Sequence, residues 1–297
     1  MHPPADAETE LPSRGVSLAR SATFLHMGMH DPTGFTDGRG LAKAYVGPEG
    51  PVTLHVFRGE GGFVRARAWG PGAHTAISHV PGIIGYFDDH EAFEPRTTAI
   101  ARRLAAASGL RLVRVPWVLD ALVRTILQQR VRFVEATRAY RGLVERFAPL
   151  APGPLGLRTA PTAEAWASIP PHEAGRLGVD RKRFDTIRRV ASLERHIAKL
   201  LPLAHEARFD EARRVLESLP GVGPWTREKL LDEALGDPDA VSTGDVHLPR
   251  LVCSALDPDR ATRYDDARML ELLEPWRGQR ARVVRLVVLG LGAPRSP

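Results

Sequence analysis

The beginning of the chain alternates apolar and polar residues, which is the period of a β-strand. The segment VTLHVFRGEGGFVRARAWG alternates from Val52, breaks at the glycines of 59–62 and alternates again, so it predicts a β-hairpin. GLAKAYV and HTAISHV are two further candidate strands. We therefore predict an α+β sheet domain over residues 15–100, preceded by a flexible leader at 1–14.

Beyond this domain the spacing changes to that of amphipathic helices. Leu119, Leu122 and Ile126 recur at intervals of three and four within WVLDALVRTILQQR. Similar segments continue toward the C-terminal end, separated by connections rich in Pro and Gly. We predict an all-α domain over 101–292 and a tail at 293–297, and hence a mainly α protein with an N-terminal α+β domain.

Composition narrows the class of partner more than the class of fold. Of the 297 residues, 41 are Lys or Arg and 35 are Asp or Glu, which gives a formal charge of +6 and favours a polyanionic partner. Cys253 is the single cysteine, so an internal disulfide and a cysteine-ligated iron–sulfur cluster are excluded. No stretch approaches the ~20 apolar residues that a membrane span requires. We expect a cytoplasmic protein.

The segment LPGVGPWTREKL lies between two helical stretches and concentrates turn residues. Gly221 and Gly223 flank Val222, and glycine adopts positive φ and lets a ligand approach the backbone without a Cβ in the way. Pro224 suits the first position of the following helix, whose free N–H groups bind phosphate well. The pattern predicts a helix–hairpin–helix element that binds the DNA backbone. The alternative is an ordinary helix ended by glycine and a second helix started by proline.

This hairpin, followed by the pair Gly244 and Asp245, resembles the signature of the helix–hairpin–helix DNA glycosylase superfamily. ILQQR at 126–130 is similar to the family's turn that enters the minor groove opposite the extruded base, and PWRGQRARVV at 275–284 is similar to its closing helix. The predicted N-terminal sheet resembles the extra domain of the 3-methyladenine DNA glycosylase II branch. The resemblance covers most of 117–288 and implies the helix–hairpin–helix DNA glycosylase fold.

The resemblance assigns chemistry to Asp245. A carboxylate there would stabilise the positive charge that develops on the sugar as the base leaves, or orient the attacking water. An Asp at a helix start also caps free N–H groups without any chemistry, so a plain capping role is the alternative. Trp225 occupies the position at which strand-cutting members carry a Schiff-base lysine, so the resemblance implies a monofunctional enzyme without lyase activity.

The resemblance also implies residues that contact the base and the duplex. Trp225, Lys229 and Arg285 are candidate walls of a base pocket, but Lys229 and Arg285 stand where the alkylation-specific relative has aromatic residues, which leaves the substrate open. Arg130 is a candidate for filling the space of the extruded base, or else an ordinary groove contact. The candidate DNA-binding residues are Gln129, Arg130, Gly221, Val222, Gly223 and Thr226.

We therefore expect a monofunctional DNA glycosylase that flips and excises alkylated purines of the 3-methyladenine type, which initiates base excision repair. Its partner would be damaged double-stranded DNA, bound by a monomer in the cytoplasm, or on the nucleoid in a bacterium. No organic cofactor is implied, and the hairpin carbonyls are a candidate site for a monovalent cation. The alternatives are a non-catalytic helix–hairpin–helix DNA-binding module and a glycosylase of the same fold for deaminated or oxidised bases.

Overall fold

An antiparallel sheet forms the N-terminal part of the protein. The computed structural model describes residues 3–258 and 264–290. The strands are β1 (Ala7–Pro12), β2 (Gly34–Thr36), β3 (Gly40–Gly47), β4 (Gly50–Arg58) and β5 (Phe63–Trp69). Across the sheet they follow the order β1-β5-β4-β3-β2. Strands β2 to β5 each pair with their neighbours in sequence. β1 is the exception, because it forms an edge of the sheet and pairs with β5 rather than with β2.

The alternating segment forms the predicted hairpin. β4 and β5 pair antiparallel with Val56 opposite Ala66. Val52, Leu54 and Val56 are each 0% exposed, so the apolar set lies on the buried face as its period requires. GLAKAYV forms β3 and pairs with β4 along its whole length, which confirms that strand as well.

HTAISHV differs from the expectation, because it forms a helix at Ala73–Ser78 rather than a strand. Ala73 and Ala76 lie on the same side of one helical turn and are both buried, and this helix packs against β4 and β5. Within the segment, Ala76 and Val80 are four apart, a spacing that fits both the helical period and an alternation, so the short segment was ambiguous in sequence.

Part of the leader that was predicted to be flexible is ordered as the edge strand β1. Glu8 lies opposite Arg67 of β5 and Glu10 lies opposite Arg65, and both pairs form ion pairs. Cross-strand pairs of opposite charge favour this register. The acidic residues that made the segment look like a solvated leader therefore pair with arginines of β5, while the backbone ladder with β5 holds the strand in the sheet.

The remainder of the described chain is dominated by helices, as predicted. Two short 3-10 turns occupy Thr23–Leu25 and Glu274–Trp276. The α-helices are α1 (Leu18–Ser21), α2 (Ala73–Ser78), α3 (Val80–Ile83), α4 (Thr98–Ala106), α5 (Val118–Leu127), α6 (Phe133–Phe147), α7 (Ala163–Ser168), α8 (Pro171–Arg176), α9 (Arg181–Ser192), α10 (Glu194–Ile197), α11 (Leu200–His205), α12 (Phe209–Glu217), α13 (Pro224–Glu233), α14 (Leu248–Leu256), α15 (Asp266–Leu273) and α16 (Arg280–Leu289). None of the helices in the described ranges is long and apolar enough to cross a membrane.

One continuous hydrophobic core joins the sheet to the helices. It contains Val56 of β4 together with Ile126 of α5, while a smaller core combines Ile100 of α4 with Leu286 of α16. The sheet and the helical part therefore share buried surface, although the boundaries drawn at 15, 100 and 292 stay predictions. The predicted tail and the last residues of the core, 291–297, lie outside the described residues.

Helix α5 fixes the geometry of the candidate site. It is buried along almost its whole length and packs against α6, α9 and α13. α5 ends at the turn that carries Gln129 and Arg130, and α13 begins directly after the glycine hairpin. The packing of α5 on α13 therefore brings the two predicted DNA-binding elements to one end of the helical part.

Candidate active site and nucleic-acid interface

The hairpin between α12 and α13 needs glycine at one of its two positions for conformational reasons. Gly221 has φ of +89°, and a Cβ there would lie 2.5 Å from the hydroxyl oxygen of Thr186. Gly223 differs from the expectation, because its φ of −84° suits any residue. A Cβ on Gly223 would meet no atom of the described protein within 4 Å. The open space over Gly223 is where another molecule could approach the backbone.

Free backbone donors lie at the start of α13. Pro224 occupies the first helical position, where its missing N–H costs nothing. Within the described ranges, no hydrogen bond uses the N–H groups of Gly223, Trp225 and Thr226. Unpaired N–H groups at a helix start carry positive partial charge and suit a phosphate. The hairpin thus has the features of an anion site.

The turn after α5 is tied to this hairpin by one side chain. The Gln129 amide donates to the carbonyl of Gly221 (3.1 Å) and to the hydroxyl of Thr226 (2.8 Å). Arg130, the next residue, is exposed and has φ of +55°, a backbone conformation that is uncommon outside glycine. The two elements form one surface, with the Arg130 side chain exposed at its edge.

Two of the predicted DNA-binding residues, Val222 and Thr226, have buried side chains that contact other parts of the protein. Val222 is 8% exposed within the main core, and its N–H donates to the carbonyl of Leu219. Thr226 is 2% exposed, and its hydroxyl accepts the hydrogen bond from Gln129. Their side chains therefore shape the hairpin from within, and a contact of Val222 with DNA stays a prediction. The backbone N–H of Thr226 has no hydrogen bond within the described residues.

Asp245 lies beside the start of α13, although it is twenty residues from Trp225 in sequence. One carboxylate oxygen accepts from the Trp225 indole N–H (2.8 Å). The other accepts from the backbone N–H groups of His247 (2.8 Å) and Leu248 (2.9 Å), at the start of α14. The carboxylate is therefore a cap of α14 through one oxygen and a partner of the hairpin helix through the other.

This environment keeps Asp245 ionised. Burial opposes ionisation, but the hydrogen bonds from Trp225, His247 and Leu248 and the nearby charge of Lys229 outweigh it, so the pKa of Asp245 is held below its ordinary value. Hydrogen bonds to a charged carboxylate favour that charged form. A partly buried negative charge thus stands next to the hairpin with its unpaired N–H groups.

Lys229 lies one turn after Trp225 and is held in place by an acid. Its ammonium nitrogen is 2.5 Å from a carboxylate oxygen of Glu233 and 5.7 Å from the ring centroid of Trp225. Of the three residues predicted to wall a base pocket, Trp225 and Lys229 are therefore brought together beside Asp245.

A cavity of about 280 Å³ lies between the N-terminal part and α13. Its walls include Phe24 and His26 from the segment after α1, Phe133 from the start of α6, and Lys229 and Glu233 from α13. The cavity has two phenyl rings, one imidazole and one ion pair among these walls. It is thus more polar than the aromatic pocket that the resemblance implies.

Arg285 and Trp225 do not belong to the described residues that line this cavity. Arg285 is 1% exposed, and its guanidinium binds the side chain (2.7 Å) and the carbonyl (2.7 Å) of Asp232. The same guanidinium lies 4.8 Å from the ring centroid of Phe24. Arg285 therefore supports a wall from behind, which corrects its assignment as a pocket surface. The sequence shows only an arginine among the apolar residues of α16, and this pattern does not indicate that Arg285 is buried behind a wall of the cavity.

Sequence reasoning missed Phe24, His26 and Glu233. Phe24 lies in the 3-10 turn Thr23–Leu25, and His26 begins the short irregular stretch between that turn and β2. Such a stretch has no period from which burial or facing can be predicted. Glu233 lies four residues after Lys229, a spacing that does indicate a helical ion pair, and this was the one available signal.

Metal sites have little support in the described residues. No group of three or more His, Cys, Asp or Glu side chains in those ranges could hold a metal ion. The carbonyls of Leu219 and Gly221 accept hydrogen bonds from Val222 and Gln129. A monovalent cation at the hairpin carbonyls stays a prediction.

No protein-family model matches the chain. A Mycobacterium tuberculosis protein named "Probable bifunctional transcriptional activator/DNA repair enzyme AlkA" is 35% identical over 195 residues, which are 60% of this chain and 37% of that protein. The chain thus spans little more than a third of the length of the curated relative that it matches.

Solved structures share the fold over nearly the whole chain. The 3-methyladenine DNA glycosylase of Archaeoglobus fulgidus has a TM-score of 0.77 at 18% identity, covering 96% of this chain and 99% of that one. An 8-oxoguanine glycosylase/lyase of Clostridium acetobutylicum, solved with double-stranded DNA, has a TM-score of 0.66 at 12% identity and covers 97% and 96% of the two chains. The chain therefore has the helix–hairpin–helix DNA glycosylase fold with an N-terminal α+β part, and it resembles the AlkA, or 3-methyladenine DNA glycosylase II, branch of that superfamily.

Proposed function

We propose that this protein is a monofunctional DNA glycosylase that excises alkylated purines of the 3-methyladenine type from duplex DNA. The observation that carries the proposal is the ionised carboxylate of Asp245 next to the unpaired N–H groups of the hairpin. The hairpin would hold a phosphate of the bent strand. Asp245 would then face the sugar of the nucleotide that is flipped out of the duplex.

The chemistry follows from charge. Cleavage of the bond between base and sugar leaves positive charge on the sugar, and a preorganised carboxylate in a partly dry site stabilises that charge and can orient water for attack. An alkylated purine such as 3-methyladenine is already cationic in the nucleotide, so it leaves as a neutral base without a general acid. The site can therefore act with one carboxylate and no cofactor.

The comparisons support the coarse part of the proposal. The curated relative is named as a DNA repair enzyme, and a neighbour in structure is named as a 3-methyladenine DNA glycosylase. Another neighbour is a glycosylase/lyase that acts on 8-oxoguanine according to its name, and it was solved on double-stranded DNA. Damaged duplex DNA is thus the partner that we propose, with the alkylated purine and the monofunctional mechanism as the finer proposals.

The rival is a DNA-binding module in which Asp245 is only a helix cap. Capping accounts for the carboxylate oxygen that accepts from His247 and Leu248. It does not account for the second oxygen, which is held by Trp225 from another helix. A helix cap needs no such partner. The contact with Trp225 holds the carboxylate of Asp245 beside the start of α13, next to the hairpin. This observation favours the enzyme over the module.

The test is a set of duplexes that each contain one lesion, incubated with the protein and analysed with and without alkali. We expect release of alkylated purines and strand cleavage only after alkali, because the Schiff-base position holds Trp225 and the nearby amine of Lys229 is ion-paired to Glu233. Borohydride should trap no covalent adduct. A trapped adduct that disappears in Lys229→Ala would show lyase chemistry, and no base release from any duplex would favour the non-catalytic module.

Gly223→Ala should weaken DNA binding without weakening the fold. The new Cβ would meet open space in the protein, and the backbone of Gly223 needs no glycine, but the methyl group would stand between the hairpin and a phosphate. We expect affinity to fall about tenfold for all duplex sequences alike, equivalent to roughly 1.4 kcal/mol. Fluorescence anisotropy at fixed salt measures this change.

Gly175→Ala is the matched control, because its Cβ would also meet open space but lies in α8. Its affinity should equal that of the parental protein. Gly221→Ala is expected to lower stability as well, since its positive φ and the contact with Thr186 both disfavour a side chain. Parental affinity in a folded Gly223→Ala protein would remove the hairpin from the interface.

A further inference from the structure

Another cavity of about 280 Å³ lies where one end of β3, β4 and β5 meets the start of α1. Arg39 and Arg58 are among its walls, and the described residues that line it include no Asp or Glu. None of these residues lines the cavity beside Lys229. This sheet-end cavity is therefore cationic and separate from the candidate active site.

The two arginines lie opposite each other on neighbouring strands. The N–H of Arg58, the last residue of β4, donates to the carbonyl of Arg39, which directly precedes β3 (2.9 Å). This bond continues the register that pairs Gly40 with Phe57. Like charges directly opposite each other destabilise a sheet, whereas β1 and β5 place Glu opposite Arg at two positions. An anion between the two guanidinium groups would remove the repulsion between Arg39 and Arg58.

Neither guanidinium has a partner in the described part of the protein. Within residues 3–258 and 264–290, the side chains of Arg39 and Arg58 make no hydrogen bond, ion pair or ring contact. Each lies two residues beyond a core residue, Leu41 or Val56, and so continues the core face of the sheet to the rim of the cavity. A guanidinium is planar and weakly hydrated, and it binds phosphate through two parallel hydrogen bonds. Two cations are thus available to one anion.

The backbone that carries Arg39 is held in place. One carboxylate oxygen of Asp37 accepts from the N–H groups of Arg39 (2.7 Å) and Gly40 (2.8 Å). Asp37 forms no ion pair with either arginine in the described ranges. The turn before β3 therefore positions the Arg39 side chain without neutralising its charge.

Further hydrogen-bond donors line the same cavity. The hydroxyl of Ser17 makes no capping contact with α1 and has no other hydrogen bond among the described residues. The N–H groups of Gly38 and Gly62 are also unused there. Phosphate oxygens accept hydrogen bonds, and those from charged donors are the strong ones. Phe63 is 37% exposed and adds a ring on which a base can stack. The walls therefore match a phosphate that is joined to an aromatic group, as in a nucleotide.

We propose that the sheet-end cavity binds the phosphate group of a nucleotide, with Arg39 and Arg58 on the phosphate oxygens and Ser17 as a further donor. A free nucleotide and a DNA strand present the same chemical group, and the test below separates these two sources. The proposal does not depend on the proposed function, because no residue of the candidate active site takes part. It gives the N-terminal part of the chain a binding role of its own.

The test measures binding of adenosine 5′-monophosphate and adenosine by calorimetry, and binding of an undamaged duplex by fluorescence anisotropy. The parental protein should bind the monophosphate at one site and adenosine roughly tenfold more weakly, because the two arginines act on the phosphate. Arg39→Gln and Arg58→Gln should each weaken monophosphate binding about tenfold, and Ser17→Ala about threefold. Without ligand, each arginine variant should melt no lower than the parental protein, since one of two facing like charges is removed.

Comparison of the ligands identifies the source of the phosphate. Weaker monophosphate binding together with parental duplex binding in the arginine variants indicates a free nucleotide. Weaker duplex binding, with the slope of log K against log salt reduced by about one for each lost phosphate contact, indicates a DNA strand. If both arginine variants match the parental protein with every ligand, the proposal fails.

Arg102→Gln is the control with the same change of charge. Arg102 is exposed on α4, has no partner among the described residues and does not line the cavity. This variant should bind each ligand like the parental protein. Losses in Arg102→Gln as large as those in Arg39→Gln would show that net charge, rather than the cavity, attracts the phosphate, and would overturn the proposal.

Discussion

Asp245→Asn is expected to reduce excision of an alkylated purine by about 10²–10³, the usual loss when one preorganised electrostatic group is removed from an active site. Asn is about as good a helix cap as Asp, so the contacts to His247 and Leu248 can persist. The amide carries no charge, however, and cannot balance a cationic sugar. The substitution therefore separates the capping role from the chemical role.

The measurement is single-turnover excision with the enzyme in excess, beside binding to a lesion duplex and a thermal melt. Binding should be retained or become tighter, because a carboxylate near the phosphate backbone repels it. Asp180→Asn is the matched control, since Asp180 caps α9 through the backbone N–H of Arg183 and is not part of the candidate site. Parental excision by Asp245→Asn would leave Asp245 as a cap and would favour the non-catalytic module.

Asp120→Asn is expected to destabilise the fold by about 3–5 kcal/mol, a large part of the roughly 5–15 kcal/mol that holds a domain together. Asp120 lies on α5 and accepts from the ammonium of Lys43 on β3 (2.7 Å) and the hydroxyl of Tyr140 on α6 (2.6 Å). Lys43 is 0% exposed, so without the carboxylate its charge would be buried without its ion-pair partner. Removal of one partner of a buried pair costs far more than the pair contributes.

Urea unfolding of the single and double variants measures this effect. Lys43→Met combined with Asp120→Asn should cost less than the sum of the two single changes, because the buried lysine charge is then absent. Arg141→Ala is the surface control: its ion pair with Glu145 is about half exposed on both sides, and exposed pairs contribute about 0–1 kcal/mol. Additive losses at Lys43 and Asp120 would contradict a mutual stabilisation.

The spacing of apolar residues along the chain predicted those strands and helices that are determined by residues close together in sequence. Alternation from Val52 predicted the β4–β5 hairpin, and the spacing of Leu122 and Ile126 predicted α5, because both periods are set by backbone geometry. The glycines, Pro224 and the later aspartate indicated the helix–hairpin–helix resemblance, and the fold is confirmed by the solved structures. The roles of the site residues stay predictions until they are tested in solution.

Local patterns failed where two structures fit the same residues or where partners are distant. HTAISHV suited a strand and a helix equally, and packing of the helix Ala73–Ser78 on β4 and β5 decided the outcome. The acidic residues of β1 predicted a solvated leader, but in the structure they form ion pairs with Arg65 and Arg67 of β5, which are distant in sequence. Gly223 was expected to need positive φ like Gly221, but only the closed turn shows which glycine carries it.

The sequence by itself determined strand β3, the β4–β5 hairpin, helix α5, the glycine hairpin and the presence of one aspartate after it, because each depends on residues a few positions apart. Only the tertiary structure decided which side chains meet. The Trp225 indole donates a hydrogen bond to Asp245, and the Arg285 guanidinium is buried against the ring of Phe24. His26 from the N-terminal part lines the same cavity as Lys229 of α13. The physical reason is that contacts between distant segments are set by how whole elements pack, and no local period records that packing.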